Sequence, residues 1–379
     1  MTENYFFRTE DLCVGYNNIP LINNINIKIK KGEILTLIGP NGSGKSTILK
    51  SITKHLSTIK GIVYIDKNSL NNMTNKDLAT KVAVVLTDKI RPEMMTCEDI
   101  VASGRYPYTN YFGKLTKQDD EIVCDSLKKV HALDLKDRDF LSISDGQRQR
   151  IMLARAICQE PEIIVLDEPT SYLDIKHKID LLDILRNMSR EKNITIIMSL
   201  HEIDLAPKIS DKVACVKGDK ISRFGTPKDI FKEEIINELY GLDNSSYNML
   251  FGSVELPKIT SDKNVFIVGG EGKGILYYRE LQKKRISFNT GILYENDVDF
   301  QVAKSLAKKI YSSKAFEPVS KELINEAKQA VVKSTVLVDV GAHIGLYNQF
   351  NQELIEIAKQ NRIPIFYDVE KVVEYLNEK

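Results

Sequence analysis

The stretch GPNGSGKST at residues 39–47 decides the fold, because it follows the apolar run ILTLIG at 34–39 and overlaps a helical pattern at 45–54. It matches the pattern G-x-x-x-x-G-K-[S/T], whose glycines let backbone N–H groups crowd around phosphate oxygens. Lys45 can then reach the β- and γ-phosphates of a nucleotide, and Ser46 can ligate Mg²⁺. The stretch predicts a phosphate-binding loop between a strand and a helix, and a glycine-rich turn without a ligand is the weaker interpretation.

A second apolar run, EIIVLDEP at 162–169, ends in two acids. Asp167 can orient a water on the same Mg²⁺ that Ser46 ligates. Glu168, next to it, can act as general base toward the water that attacks the phosphate. Because acids at the end of a buried strand are costly to desolvate, a purely structural role is the weaker interpretation.

Strand-like and helix-like patterns alternate along the first two thirds of the chain. Apolar runs at 34–39, 162–169 and 193–202 have the length and the flanking residues of strands buried on both faces of a parallel sheet. Helical patterns lie between them, so the sequence predicts an α/β fold. Residues 89–142 lack a strong strand pattern and predict a helical insertion.

A second alternation of strands and helices runs from about residue 258 to 379. We therefore predict two domains, 1–257 with the phosphate loop and 258–379 with a smaller, Rossmann-like α/β fold. Two glycine-rich turns there, GGEGKG at 269–274 and VDVGAHIG at 338–345, leave two interpretations open. They are strand-to-helix turns, which is favoured for 269–274, or they contact a small ligand at the carboxyl edge of the sheet. A regulatory, ligand-sensing role rests on fold analogy.

Composition excludes some function classes. Lys and Arg number 53 against 52 Asp and Glu, which argues against an electrostatic nucleic-acid binder. The cysteines form no C-x-x-C pair and fit reduced thiols in a cytosolic protein. The first ten residues lack a secretory pattern, and no apolar run approaches the roughly 20 residues that span a bilayer. We expect another chain to supply any membrane-spanning part.

The stretch SDGQRQR at 144–150 begins a helical pattern. Ser144 and Gln147 form the S-x-x-Q capping box, and a helix start offers free N–H groups and a positive dipole end to an anion. Alone, the stretch predicts only a capped helix. Asp145 favours the helix dipole but would repel an arriving polyphosphate.

Taken together, these stretches resemble the ATP-binding cassette (ABC) ATPases over about residues 5–256. GPNGSGKST is similar to the family's Walker A loop, IIVLDE to its Walker B strand, SDGQ to its signature motif and SYLD to its D-loop. His201 in SLHE resembles the switch histidine. The resemblance implies nucleotide contacts from a set of residues that includes an adenine-stacking aromatic: Tyr16, Gly39, Pro40, Asn41, Gly42, Ser43, Gly44, Lys45, Ser46 and Thr47.

The resemblance also implies a head-to-tail dimer, in which the signature of one chain closes over the γ-phosphate held by the Walker A loop of the other. His201 would bond the γ-phosphate and Asp174 would couple the two sites. The contacts made in trans would come from the signature residues Ser144, Asp145, Gly146 and Gln147.

Two positions depart from the family pattern. The signature motif is normally Ser-Gly-Gly-Gln, so Asp145 is a departure, but the family is tolerant at that position. The second departure matters more. The family has a glutamine that touches Mg²⁺ after the strand corresponding to VAVVL, whereas this chain reads VVLTDK with Asp88 at the best-aligned position. A carboxylate is still a hard oxygen ligand for Mg²⁺. We therefore expect Asp88 to join Ser46 and Asp167 at the metal.

Within the family, the stretches at 103–113, 171–182 and 200–206 resemble the importer ATPases for iron–siderophore, haem and cobalamin. This resemblance implies ATP and Mg²⁺, a separate permease, an extracytoplasmic binding protein and a place on the inner face of the cell membrane. The alternative is a soluble ABC ATPase in repair, translation or regulation, with a ligand-sensing C-terminal domain. The stretch between Lys45 and Asp167 is too short for the long coiled coil of the repair type, and there is one cassette, not the two of the translation type.

Overall fold

The computed structural model describes most of the chain, over residues 5–86, 92–110, 113–171, 173–242, 246–248 and 250–378. The chain divides into two compact units, Met1–Tyr240 and Gly241–Lys379. This division falls ahead of the domain boundary predicted at 257/258. None of the described helices is both long enough and apolar enough to cross a bilayer.

Eleven strands form one sheet among the described residues of the first unit. The strands are β1 Phe7–Tyr16, β2 Ile19–Ile25, β3 Lys28–Ile29, β4 Ile34–Ile38, β5 Lys60–Ile65, β6 Asn68–Ser69, β7 Val82–Val85, β8 Ile163–Leu166, β9 Thr195–Ser199, β10 Lys212–Lys217 and β11 Lys220–Gly225. The helices are α1 Lys45–Ile52, α2 Asn75–Lys81, α3 Cys97–Ala102, α4 Lys117–Lys129, α5 Asp145–Cys158, α6 Ile175–Lys192, α7 Ala206–Ile209, α8 Pro227–Ile230 and α9 Glu233–Tyr240. Short 3₁₀-helices lie at Leu70–Asn72, Ser103–Tyr108, Leu133–Leu135 and Phe140–Ser142.

The sheet has a parallel half and an antiparallel half. Its order is β6-β5-β1-β2-β11-β10-β4-β9-β8-β7, with β3 paired to β1. Strands β10, β4, β9, β8 and β7 are parallel to one another, whereas β10 pairs antiparallel with β11, and β1 pairs antiparallel with β2 and β5. Every residue of β4, β8 and β9 is buried, as expected for strands covered on both faces. The predicted α/β fold is confirmed.

The register between the parallel strands determines where the loops that follow them begin. Leu37 of β4 pairs with Ser199 of β9, and Met198 of β9 pairs with Leu166 of β8. Because all three strands run the same way, the loops that follow them leave from one edge of the sheet. The phosphate loop, the two acids and His201 follow β4, β8 and β9 respectively.

Helices α3, α4 and α5 form a small helical layer, and the first two lie within the predicted insertion of 89–142. Arg105 holds this layer together. Its guanidinium donates to Asp119 at 2.8 Å, to the carbonyl of Cys158 at 2.8 Å and to Glu160 at 2.8 Å. Burial disfavours the charged form, but the hydrogen bonds to Asp119 and Glu160 outweigh burial and raise the pKa of Arg105.

The second unit carries a parallel sheet with helices on both faces. Its strands are β12 Ser246–Asn248, β13 Ser253–Glu255, β14 Val265–Val268, β15 Phe288–Tyr294, β16 Lys309–Ser313, β17 Val336–Asp339 and β18 Ile365–Phe366. Its helices are α10 Gly274–Lys283, α11 Val298–Leu306, α12 Lys321–Val332, α13 Phe350–Gln360 and α14 Val369–Asn377. The sheet order is β16-β15-β14-β17-β18, and each neighbouring pair is parallel. Numbered from β14, this order is 3-2-1-4-5, the doubly wound order of Rossmann-like folds.

The hairpin of β12 and β13 joins the second unit through side-chain bonds. Asn248 donates to the carbonyl of Gln301 at 3.1 Å, and Arg279 donates to Glu255 at 2.6 Å. Glu255 is buried, so this ion pair is a partly desolvated contact. Residues that follow Tyr240 are therefore part of the second unit, although they lie before the predicted boundary.

We expect Arg105→Met to lower the free energy of unfolding by about 3–5 kcal/mol, because it leaves Asp119 without its buried partner. Arg186→Met is the matched control, since Arg186 pairs with Asp183 at 3.5 Å on the exposed surface. That change should cost no more than about 1 kcal/mol. Urea unfolding followed by circular dichroism measures both, and equal losses would contradict the role given to Arg105.

Candidate functional site

The phosphate loop runs from the end of β4 to the start of α1. Gly39 has φ +149°, and a Cβ there would lie 2.2 Å from the carbonyl oxygen of Val216. Gly42 has φ +73°, in the left-handed region, and a Cβ there would meet nothing within 4 Å. Glycine at 39 thus permits the close approach to β10, while glycine at 42 supports the turn and leaves open space above it.

Lys45 closes the base of the loop. Its Nζ donates to the carbonyls of Gly39 at 2.8 Å and Pro40 at 2.9 Å, and the residue is 4% exposed. Burial lowers the pKa of Lys45, and the charges of Glu168 and Asp167 oppose that shift. An ammonium group has three donors, so one remains for an anion in the loop.

The loop faces a cavity of about 450 Å³. The cavity is lined by Tyr16, Leu21, Asn41, Gly42, Ser43, Gly44, Lys45, Ser46, Thr47, Glu168 and His201. The Oγ of Ser43 is buried and has no hydrogen-bond partner among the described residues, which fits a site whose donors await phosphate oxygens. Tyr16, predicted to stack on adenine, is half exposed at the rim, and its hydroxyl lies 3.2 Å from that of Thr47.

The two predicted acids leave the end of β8 in different directions. Asp167 is 1% exposed, and its Oδ1 accepts a hydrogen bond from the Ser199 hydroxyl at 2.7 Å. Glu168 has φ +50°, and its backbone N–H donates to the same hydroxyl at 2.8 Å. Its side chain lines the cavity, where it contacts the Nε2 of His201 and accepts from Ser171 at 3.3 Å. The structure therefore brings the acids, the histidine and the phosphate loop together.

Predicted Mg²⁺ ligands lie partly within the described residues. Ser46 and Asp167 are at the loop and the strand end that meet at this cavity, and both supply the oxygen donors that Mg²⁺ prefers. Among the described residues, no three His, Cys, Asp or Glu side chains cluster as a metal site. Asp88 lies outside the described residues.

The signature stretch begins helix α5, as the capping box predicts. The Ser144 hydroxyl accepts from the Gln147 N–H at 3.3 Å, and the Ser144 N–H donates to the Gln147 side chain at 3.0 Å. Asp145 forms an ion pair with Arg148 at 3.3 Å, so the carboxylate is partly neutralised one turn along the helix. Gly146 lies close to Leu173, where an added Cβ would meet Cδ2 at 3.2 Å. None of the described residues lining the phosphate-loop cavity comes from this stretch.

Asp174 caps helix α6. Its carboxylate accepts from the backbone N–H of His177 at 2.9 Å, and this bond holds the pKa of Asp174 below its usual range. The carboxylate also lies 2.9 Å from the Nδ1 of the same histidine. Capping accounts for the position of Asp174 within one chain. Its predicted coupling role stays a prediction.

The glycine-rich loop at 269–274 in the second unit holds carboxylates of its own chain. Asp299 accepts from the N–H groups of Gly270 at 2.6 Å and Gly274 at 2.9 Å, and Asp297 accepts from Glu271 at 3.2 Å. Burial raises the pKa of Asp299, which is fully buried. Because these amides are already hydrogen-bonded, the loop fits the strand-to-helix turn better than a phosphate cradle.

Sequence reasoning missed Ser199 and Glu202. Ser199 bridges Asp167 and Glu168, while Glu202 accepts from Thr170 at 2.7 Å and from Lys178 at 2.5 Å. A signal for Ser199 was present, since its hydroxyl directly follows the three apolar residues IIM at the end of the strand-like run. Its partners directly follow another strand, β8, and the sequence does not show that β8 and β9 are neighbours.

The fold and the site define a P-loop nucleoside triphosphatase. Residues 22–171 match the ABC transporter family, and residues 288–375 match the MJ0874 family. The chain is 46% identical over 287 residues to the ABC transporter ATP-binding protein MJ0873 of Methanocaldococcus jannaschii, an alignment that covers 76% of this chain and 99% of that protein. It is 34% identical over 235 residues to the iron(3+)-hydroxamate import ATP-binding protein FhuC of Bacillus subtilis, over 62% of this chain and 87% of that protein.

A comparison with a solved structure also indicates an ABC transporter fold. A chain described as an inward-facing conformation of an ABC transporter of metal-chelate type superimposes with a TM-score of 0.55 at 28% identity, over 62% of this chain and 89% of that one. This chain belongs to the ABC transporter ATP-binding proteins. It is an ABC ATPase, the ATP-binding subunit of an ABC transporter.

We expect Gly39→Ala to lower the free energy of unfolding by about 1–3 kcal/mol from overpacking against β10. Gly42→Ala is the matched control, because both positions have a positive φ but only position 39 lacks space for a Cβ. Denaturant unfolding without nucleotide should therefore show the larger loss for Gly39→Ala. An equal or larger loss for Gly42→Ala would show that contact with Val216 does not constrain the loop.

Proposed function

We propose that this chain drives an importer for iron–siderophore, haem or cobalamin-type cargo by hydrolysing ATP at the carboxyl ends of β4, β8 and β9. The observation that carries the proposal is the meeting of the phosphate loop, Glu168 and His201 around one cavity. Ligands of parallel α/β sheets bind at this edge. The similarity to an iron(3+)-hydroxamate import protein supports the cargo class.

The catalytic roles follow from the contacts. Bound Mg²⁺ would neutralise charge on the phosphates, and Ser46 and Asp167 would hold it. Glu168 would accept the proton of the attacking water at its carboxylate. His201 would orient that carboxylate, which it already contacts, and hydrogen-bond the γ-phosphate.

We further propose that Ser144, Gly146 and their neighbours complete the site in a second copy of the chain. This arrangement is supported by the described lining of the chain's own nucleotide cavity, which includes no signature residue. The capped start of α5 offers N–H groups and a positive dipole end to the γ-phosphate. Asp174 would link the two sites through the D-loop.

A separate permease is the proposed membrane partner. A cavity of about 560 Å³ in the first unit is lined by Leu78 of α2, Val84 of β7, Met152 of α5 and Leu86, which follows β7. Its mixture of apolar walls with Arg155 suits a short amphipathic segment of another chain. Because α5 also carries the signature, a partner bound here would sense its movement. This partner would hold the chain on the inner face of the membrane, and a binding protein would deliver the cargo.

The alternative, a soluble ABC ATPase of the repair or regulatory kind, has less support. Between Lys45 and Asp167 the longest described helix is α5, with 14 residues, which is far shorter than a long coiled coil. A regulatory role for the second unit, modulating the ATPase in response to a small ligand, is compatible with both functions and rests on its Rossmann-like order.

We expect Glu168→Gln to keep ATP binding and to reduce steady-state hydrolysis by about 10²–10⁴-fold, the usual contribution of a general base. Glu162→Gln is the matched control, since Glu162 adjoins the other end of β8 and pairs with Lys31 and Lys81. Phosphate release and calorimetric ATP binding measure both variants. Hydrolysis by Glu168→Gln at the unmodified rate would remove Glu168 from its proposed role.

Asp145→Asn should tighten the ATP-bound dimer of the Glu168→Gln protein, because it removes a negative charge that faces the partner's triphosphate. The gain should not exceed about 1 kcal/mol, the value for unit charges 4 Å apart in water. Arg148 already offsets part of the charge, and added salt should shrink the gain. Light scattering with ATP at low and high salt measures closure. An unchanged dimer at both salt concentrations would place Asp145 away from the phosphates.

A further inference from the structure

We propose that Ser199 is a positioning residue for ATP hydrolysis, whose hydroxyl fixes both Asp167 and Glu168 from the neighbouring strand. The proposal rests on the proposed roles of these two acids. Ser199 does not line the described nucleotide cavity, so it would act through the acids and not by touching ATP. It is fully buried at the end of β9.

Strand register places Ser199 where it can reach both acids. Met198 pairs with Leu166, so the residues that follow them, Ser199 and Asp167, lie side by side at the carboxyl edge. On its other side β9 pairs with β4, which leads into the phosphate loop. The hydroxyl therefore stands between the strand that carries the acids and the strand that carries the loop.

The polarity of the two hydrogen bonds is fixed by their partners. A hydroxyl has one proton, and an ionised carboxylate can only accept, so Ser199 donates to Asp167 at 2.7 Å. The Glu168 backbone N–H can only donate, and it does so to the same oxygen at 2.8 Å. Hydrogen bonds linked in this way polarise one another in a buried site. Loss of the hydroxyl would remove both bonds together.

The bond to Glu168 supports an uncommon backbone conformation. Glu168 has φ +50°, a left-handed value that non-glycine residues adopt at a cost and keep only when their surroundings hold them. This conformation aims the Glu168 side chain at His201 and the cavity. Without the Ser199 hydroxyl, we expect the Glu168 backbone to relax to a more common conformation. The Glu168 carboxylate would then no longer be oriented toward His201 and the cavity.

These contacts predict a particular kinetic pattern. The Ser199 hydroxyl hydrogen-bonds the two acids and makes no hydrogen bond to the phosphate loop at 39–47. Removal of the hydroxyl should therefore preserve ATP affinity in the absence of Mg²⁺. Misplacement of a catalytic group by about 1 Å can cost about 10²-fold in rate. Ser199→Ala should therefore lower kcat by about 10–100-fold. It should also raise the Mg²⁺ concentration needed for half-maximal activity, because Asp167 is no longer held.

The experiment compares purified full-length variants by phosphate release against Mg²⁺ concentration, by calorimetric ATP binding in EDTA and by thermal unfolding. Ser199→Thr retains a hydroxyl and should restore kcat and the Mg²⁺ requirement. Ser199→Cys keeps the size of the side chain but offers a weaker donor, so it should give an intermediate loss. It supplies the same readout if Ser199→Ala does not fold.

Ser189→Ala is the matched control. Ser189 is 2% exposed, lies on α6 and donates to the carbonyl of Gly32 at 2.6 Å, away from the site. It should lower the midpoint of thermal unfolding to a similar degree as Ser199→Ala without changing the Mg²⁺ requirement. A purely structural role for Ser199 would give both variants the same pattern.

Glu168→Gln, measured in parallel, separates the two claims. If Glu168→Gln is inactive while Ser199→Ala keeps its kcat and its Mg²⁺ requirement, the positioning role is overturned and the proposed function stands. If Glu168→Gln hydrolyses ATP normally, the proposed function itself fails. A fall in kcat with a raised Mg²⁺ requirement in Ser199→Ala, reversed in Ser199→Thr, is the expected result.

Discussion

The parallel pairing of β4, β9 and β8 is the constraint on which the site depends. The phosphate loop follows β4, the acids follow β8 and His201 follows β9, so their meeting requires these strands to be neighbours in one register. Their side chains are buried on both faces, and burial of apolar area makes the arrangement stable. A slip of one residue between β8 and β9 would turn Ser199 away from Asp167.

The residues that follow these strands then provide the groups that bind an anionic ligand. Gly39 allows the loop to pass close to β10, and Lys45 brings a buried positive charge under the loop. The acidic residues Asp167 and Glu168, at the end of β8, face the positive charge of Lys45. The signature stretch also combines groups that favour an anion with a negatively charged side chain. Its helix start suits an anion, and Asp145 is tolerated because Arg148 and the helix dipole both compensate its charge.

Much of the fold and of the candidate site could be predicted from the sequence, because the patterns that determine them are local. Strand length, the spacing of glycines and Lys45, the two acids and the S-x-x-Q capping box are patterns within a few residues. Contacts between distant segments were not accessible. Ser199 bonds to residues that follow another strand. Asp299 accepts from amides of the loop at 269–274, a loop whose glycine spacing alone also allowed a phosphate-binding role. The hairpin strands β12 and β13 join the second unit through bonds to Gln301 and Arg279, which sequence periodicity cannot show.

We propose that the phosphate loop of one chain holds ATP and that the signature of a second chain closes over it. The most direct measurement is an experimental structure of the Glu168→Gln protein with ATP and Mg²⁺. The account predicts a triphosphate within residues 39–47, with Ser144 and Gly146 of a second copy at the γ-phosphate. A triphosphate bound elsewhere, or enclosed by a single chain, would contradict it.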